Sequence, residues 1–191
     1  MDKTRMEAFS DAVIAIIMTI MVLEMKIPHG EGWSALKPII PVFLSYVMSF
    51  AYLAIYWNNH HHLLKAVKSI DGRVLWANMV LLCWMSLIPF VTGWMGENHF
   101  ARNPVILYGV NLLLAGLSYN ILVKVLLHSH GKDSLPAKAL GNDIKGKFSM
   151  VIYAAAICLA FVSPILAGCL YALVAVMWIV PDERIEKVLR S

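Results

Sequence analysis

Six apolar stretches, each about long enough to cross a lipid bilayer, constrain this chain more than any other feature of its sequence. A membrane-spanning α-helix needs about 20 mostly apolar residues, since lipid offers no partner to unpaired backbone groups. The stretches lie at about 6–27, 38–64, 74–95, 104–127, 144–162 and 164–180, and a polar tail follows at 181–191. Composition agrees, because 60% of the residues are hydrophobic and only 15% are charged. We predict an all-α membrane protein with one domain, residues 1–191, of six transmembrane helices.

The positively charged residues are divided unevenly between the two ends of these helices. If the amino terminus is cytoplasmic, 13 of the 16 lysines and arginines lie on the cytoplasmic side, and only Lys26, Lys37 and Arg102 lie outside. Cytoplasmic loops of membrane proteins carry such an excess. We therefore expect a multi-pass protein of the plasma membrane with both termini in the cytoplasm. The net charge of +4 therefore bears on topology and lipid contact rather than on nucleic acid, and no basic stripe with interleaved aromatics suggests nucleic-acid binding.

Polar residues enter the first apolar stretch, RMEAFSDAVIAIIMTIMVLEMKIP (residues 5–28), although charged groups are costly in lipid unless they find partners. At 100° per residue, Ser10 and Asp11 fall on the back of the helix relative to Ile16. We expect Asp11 to accept hydrogen bonds from YWNNHHH (residues 56–62), because both segments lie toward the same membrane face. The alternative is that Ser10 and Asp11 only cap a helix that begins at Ala12.

The opposite face of the first helix carries an apolar stripe. Its members lie within about 60° of one another and are Phe9, Ile16, Ile20, Leu23 and Ile27. Such spacing is typical of any packed helix, so by itself it favours a core-facing or lipid-facing surface. Thr19 flanks the stripe, and Glu24 lies near its outer end. Glu24 and Glu31 could form an acidic outer mouth; alternatively, Glu24 is an ordinary interfacial residue.

Three consecutive histidines, residues 60–62, invite a metal-binding interpretation. On a helix they point in three directions, so they cannot form one compact metal site. We expect a hydrogen-bonded packing role for them, with proton sensing as the alternative because histidine titrates near neutral pH. VTGWMG (residues 91–96) resembles a carbonyl filter only faintly, and no re-entrant helix precedes it. Catalytic motifs are not found, so we expect no enzyme activity, no cofactor and no resident metal.

One motif carries a resemblance to a known family. Arg5-x-x-x-Phe9-Ser10-Asp11 at the head of the first of six spans, with a Trp/His cluster in the second span, resembles the lysosomal potassium channel family, transmembrane protein 175, in its bacterial single-unit form. The resemblance extends over the whole chain. It implies a homotetramer of six-helix subunits in which the first helices line a central pore for potassium ions. It also implies that the carbonyl filter of other potassium channels is absent.

The resemblance further implies roles for individual residues. Ile16 corresponds to the main apolar constriction, Ile20 and Leu23 would form the next layers, and Thr19 would be a polar residue near the pore. A packing network behind the pore helix would contain Arg5, Phe9, Ser10, Asp11, Trp57, His60 and His61. Two other functions stay open on the sequence: a proton-coupled secondary transporter that uses Asp11 and the histidines as a relay, and a non-conducting membrane accessory protein.

Overall fold

The computed structural model describes residues 2–67, 69–130 and 143–179, which form helices with no β-strand among them. The helices are α1 (Lys3–Leu23), a 3₁₀ helix (Trp33–Ile39), α2 (Ile40–Lys65), α3 (Gly72–Ser86), α4 (Ile88–Glu97), α5 (Arg102–His130), α6 (Ile144–Ala160) and α7 (Pro164–Ile179). Only Leu87 separates α3 from α4, so the two form one apolar rod. The predicted all-α fold of six helices is therefore confirmed. The predicted polar tail, 181–191, lies outside the described residues.

Four rods in the described ranges are long and apolar enough to cross a membrane: Lys3–Leu23, Trp33–Lys65, Gly72–Glu97 and Arg102–Ser129. The last two helices are shorter, with 17 residues in α6 and 16 in α7. At 1.5 Å per residue these helices are about 25 Å long, slightly less than the hydrocarbon core of a bilayer. A turn around Ser163 joins them, and Pro164 opens α7, where a missing backbone N–H does no harm.

The two ends of α1 are set by local chemistry. Asp2 caps the helix by accepting a hydrogen bond from the Thr4 backbone N–H at 3.0 Å. The alternative that Ser10 and Asp11 cap a helix starting at Ala12 is therefore wrong, because Asp2 already satisfies the helix start nine residues earlier. The helix ends at Leu23, before the predicted end of the span at residue 27. Proline at position 28 disfavours a helical conformation for the residue before it, so the helix would not continue through the predicted end of the span.

Two clusters of buried side chains hold the bundle together. One joins α1, α2, α3 and α5 through aliphatic residues, and the other joins α2, α4, α5, α6 and α7 around Tyr52, Tyr108, Tyr153 and Tyr171. Hydrophobic driving force between helices is small in lipid, so close packing and interhelical hydrogen bonds decide their association. The hydroxyl of Tyr52 donates to the carbonyl oxygen of Tyr171 at 2.6 Å. Gly109 lies directly against the Tyr171 hydroxyl, where a larger residue would not fit.

The arrangement leaves α1 at one side of the bundle. It packs against α2, α3 and α4, whereas α5 lies behind α3 and α4 and carries α6 and α7 on its other side. One face of α1 is therefore inside the subunit, and the remaining surface points away from it.

Candidate functional site

The outward surface of α1 carries the apolar stripe. Side chains that pack into the bundle are Met6, Ser10, Ile14, Ile17 and Met21. The predicted constriction residues lie on the other face, where Ile16 is 56%, Ile20 42% and Leu23 78% exposed. Three branched apolar side chains within two turns of helix thus lack a full partner in their own subunit.

A groove of about 580 Å³ runs between this surface and α4. Ile16 and Ile20 line it from α1, and Phe90 and Trp94 line it from α4. The two aromatic rings stack with centroids 6.5 Å apart. The groove is therefore bounded by hydrocarbon and aromatic surface along most of its length.

Two carboxylates close one end of the groove. Glu24 follows the last residue of α1, and a Cβ atom built on Gly93 would lie 3.4 Å from its Oε2. Glu97 ends α4 and accepts a hydrogen bond from the Lys26 ammonium, with 2.7 Å between Nζ and Oε1. That hydrogen bond, together with the charge of Glu97, raises the pKa of Lys26 above its ordinary value. Glu31 is exposed in the following loop.

Thr19 flanks the stripe on the outward surface of α1. It is exposed, and its hydroxyl donates within the helix to the carbonyl oxygens of Ala15 at 3.1 Å and Ile16 at 2.9 Å. Because the proton is used inside the helix, the oxygen lone pairs of Thr19 remain available outward. This oxygen can therefore accept a hydrogen bond from a water molecule or coordinate a cation, but it has no proton left to donate outward.

Asp11 finds its donor on the second helix. The Trp57 indole Nε1 donates to Asp11 Oδ1 at 3.0 Å, so a tryptophan rather than a histidine is its partner. Trp57 stacks on His61 with centroids 5.8 Å apart and an interplanar angle of 19°. His61 Nδ1 in turn lies 3.5 Å from Glu7 Oε1. The amino-terminal half of α1 is thus tied to α2 by two carboxylates of its own and an aromatic pair on α2.

A second chain of hydrogen bonds is completely buried and joins three helices. Asn78 on α3 donates from Nδ2 to the Ser10 hydroxyl oxygen at 2.9 Å, and the Ser10 hydroxyl donates to the Met6 carbonyl at 2.8 Å. On its other side, Asn78 Oδ1 lies 2.8 Å from His60 Nε2. An amide oxygen only accepts, so Nε2 carries the proton in this arrangement. The chain locks the rotation of α1 about its axis relative to α2 and α3.

The remaining predicted members of the network stand apart from it in the single subunit. Arg5 is exposed, with no hydrogen bond or ion pair recorded to the rest of the described chain, and Phe9 is 49% exposed. His62 contacts His61 edge-on at 5.8 Å. Within residues 2–67, 69–130 and 143–179, no three His, Cys, Asp or Glu side chains gather closely enough to hold a metal ion.

Two functional candidates were missed in the sequence. Asn78 connects Ser10 to His60, and Glu7 faces His61. An asparagine inside an apolar span could have been predicted to join helices, because amide side chains within the membrane form hydrogen bonds between helices. Glu7 lies on the same face of α1 as Asp11, one turn earlier, and the same reasoning would have paired it with residues 56–62.

A bundle of apolar helices, four of which in the described ranges are long enough to cross a bilayer, is the architecture of a multi-pass membrane protein. A family model described as endosomal/lysosomal potassium channel TMEM175 matches residues 5–89. A protein of Chryseobacterium sp. (strain P1-3), named as a potassium channel, is 48% identical over 191 residues, covering 100% of both chains. The chain belongs to the TMEM175 family, and a cation channel is the class of protein that these comparisons support.

A solved structure gives the same result for the fold. The crystal structure of a lysosomal potassium-selective channel TMEM175 homolog from Chamaesiphon minutus superposes with a TM-score of 0.83 at 28% identity, covering 94% of this chain and 97% of that one. The human protein named endosomal/lysosomal proton channel TMEM175 is 30% identical over 116 residues, which is 54% of this chain and 23% of the human one. The expected relationship to this family is confirmed.

Proposed function

We propose that this protein is a potassium-selective channel of the plasma membrane, in which α1 from each of four copies lines a central pore. One observation carries the proposal: Ile16, Ile20 and Leu23 are exposed while Ile14, Ile17 and Met21 are buried in the same helix. An apolar surface of this kind is covered either by lipid or by another protein surface, and the similarity of this chain to TMEM175 channels favours the second. Around a symmetry axis the partner is the same surface of the other copies.

Four isoleucines at one level form a ring of branched hydrocarbon. Such a ring blocks ions by steric closure or by expelling water from the narrow segment. A small rotation or outward movement of four helices widens it. The Ser10–Asn78–His60 chain resists that rotation, because its hydrogen bonds hold α1 against α2 and α3. Gating therefore requires α1 to move with these helices or to break the chain.

Selectivity follows from the cost of removing water. Potassium holds its hydration shell less tightly than sodium, so a narrow apolar ring at Ile16 penalises sodium more. The outward lone pairs of Thr19 offset part of this cost in the next layer. No carbonyl filter enters this mechanism. Residues 91–96, whose sequence faintly resembles a carbonyl filter, are helical within α4. Their backbone carbonyls are engaged in hydrogen bonds of the helix.

The proposed topology places both termini in the cytoplasm, as 13 of 16 cationic residues favour. Glu24 then lies at the outer mouth, where its negative charge attracts cations. Lipid surrounds the assembly, and the function requires no catalytic chemistry, cofactor or nucleic acid.

The test is potassium flux from liposomes that contain the purified protein, followed by bilayer recordings of the permeability ratio for potassium over sodium. Ile16→Ala widens the ring, and we expect it to lower that ratio; Thr19→Ala should alter it as well. Ile121→Ala is the matched control, because Ile121 is similarly exposed, at 52%, but lies on α5. Unchanged ratios in both α1 variants would refute the proposal. The mass of the complex should be about 85 kDa, four times the 21.3 kDa chain.

Proton permeation is a second candidate, favoured by two observations. The Glu7–His61 pair places a titratable carboxylate and imidazole beside α1, and the mammalian relatives are named as proton channels. A pH-sensitive dye inside the same liposomes measures it. A proton-coupled transporter would instead show saturating, obligatorily coupled potassium and proton movement, which distinguishes it from a channel.

A further inference from the structure

Charged side chains line the groove near the carboxyl-terminal end of α1. The groove of about 580 Å³ beside Ile16 and Ile20 and an adjoining one of about 310 Å³ share two lining residues, Glu24 and Glu97. Lys26 lines the second groove only. Any cation that reaches the apolar stripe from this side meets these three side chains first.

The charges at this end do not cancel. Lys26 Nζ lies 2.7 Å from Glu97 Oε1, so this pair is close to neutral. Glu24 has no hydrogen-bonding or ionic partner recorded among the described residues, although its side chain lies against Gly93. Glu24, Glu97 and Lys26 together therefore give each subunit a net charge of −1 here.

The Lys26–Glu97 pair contributes little to holding the fold together. Its side chains are 84% and 46% exposed, and exposed ion pairs add little stability because water screens them. Its main physical effect is therefore on the local electrostatic potential. A lysine that neutralises one of two carboxylates halves the negative charge that faces an incoming cation.

We infer that Lys26 is a built-in counter-ion that sets the charge of the outer entrance and thereby limits the rate of cation entry. This inference rests on the proposed function, since it requires that ions reach the stripe on α1. Lys26 would then control the rate of conduction, whereas the apolar ring would control the selectivity for potassium over sodium.

The size of the effect follows from Coulomb's law. A unit negative charge about 10 Å away in water raises the local concentration of a monovalent cation about twofold. Four copies acting together, partly screened, give about fivefold at 0.01 M salt, where the Debye length is about 30 Å. At 1 M salt the Debye length is about 3 Å and the effect disappears.

The experiment uses the full-length protein in liposomes at pH 8, with potassium flux measured at 0.01 M and 1 M salt. Lys26→Gln should raise flux about fivefold at low salt and leave it unchanged at high salt. Glu97→Gln should lower it. The double variant Lys26→Gln/Glu97→Gln has the wild-type net charge, so its flux should return to the wild-type value. Lys26→Arg should also match the wild type.

A mechanical role for the pair gives different results. If the ion pair acted as a latch, both single variants and the double variant would change flux in the same direction, and the inference would be overturned. Equal flux in all variants at both salt concentrations would overturn it as well. Lys37→Gln is the control: it removes one positive charge from the same predicted membrane side but outside both grooves, so it should raise flux at low salt less than Lys26→Gln does.

The proposed pore is tested separately by Ile16→Ala. If Ile16→Ala changes the permeability ratio while Lys26→Gln leaves flux unaltered, the pore on α1 stands and only the role of Lys26 fails. If Ile16→Ala has no effect, the pore assignment fails and the role of Lys26 fails with it. Complex mass in detergent, measured for every variant, ensures that the comparison is between equally assembled proteins.

Discussion

Asn78 and Asn111 are both buried asparagines, and replacing Asn78 with leucine should destabilise the protein whereas replacing Asn111 with leucine should not. Asn78 is completely buried and makes two interhelical hydrogen bonds, to Ser10 at 2.9 Å and to His60 at 2.8 Å. Asn111 is 3% exposed, and neither its Nδ2 nor its Oδ1 has a hydrogen-bond partner in the described structure. The same substitution thus removes a hydrogen-bonded amide at position 78 and an amide without a hydrogen bond at position 111.

The magnitudes follow from the bonds lost. Hydrogen bonds between membrane helices contribute about 0.6 kcal/mol on average and up to about 1.7 kcal/mol each. Asn78→Leu loses two and leaves the Nε2 proton of His60 without an acceptor, so we expect a loss of about 1–3 kcal/mol. Asn111→Leu removes buried polar atoms that are not satisfied, so the free energy of unfolding should stay constant or rise by about 1 kcal/mol.

Reversible unfolding in mixed detergent micelles measures both free energies. A double-mutant cycle that combines Asn78→Leu with Ser10→Ala should give a coupling energy of about 0.6 kcal/mol. The reasoning is refuted if Asn111→Leu destabilises the protein more than Asn78→Leu, or if the two substitutions at positions 10 and 78 are additive. Far-UV circular dichroism checks that all variants keep the same helix content.

Two further predictions concern packing and capping. Gly109→Ala should destabilise the bundle by about 1–3 kcal/mol, because the added Cβ overlaps the Tyr171 hydroxyl; Gly168→Ala, with no atom within 4 Å, should not, and equal melting temperatures would contradict this. The hydrogen bond from the Val74 backbone N–H lowers the pKa of Asp71 below 3.8. The folded state therefore favours the ionised form, so its contribution is present above pH 3.8 and is lost as pH falls through the lower folded pKa. Melting temperatures of wild type and Asp71→Ala should converge below that pH, and a constant difference down to pH 2 would argue against it.

The two faces of α1 show what helical periodicity alone can predict. Rotation by 100° per residue predicts that Ser10 and Asp11 point away from Ile16. In the structure Ser10 is buried and Ile16 is 56% exposed, so the separation into two faces is real. Periodicity could not decide which face enters the subunit, because apolar side chains at this spacing suit a core, a lipid surface and a pore equally.

The partners of the polar residues were harder to predict. The sequence indicated the segment 56–62 for Asp11, but the choice of Trp57 over a histidine depends on the angle between α1 and α2. Asn78, 68 residues from Ser10, was not predicted at all. Such pairs depend on the crossing and rotation of three helices, and no local signal in the sequence encodes these angles.

By itself, the sequence determined the class of protein, the number of helices and their approximate positions. The reason is physical: in lipid every backbone polar group must be satisfied within its own segment, so each apolar stretch of sufficient length becomes a helix. Only the tertiary structure decided that Asn78 links Ser10 to His60, that Lys26 neutralises Glu97, and that the stripe of α1 is left uncovered. These contacts join residues far apart in the chain, and they arise from the way preformed helices pack against one another.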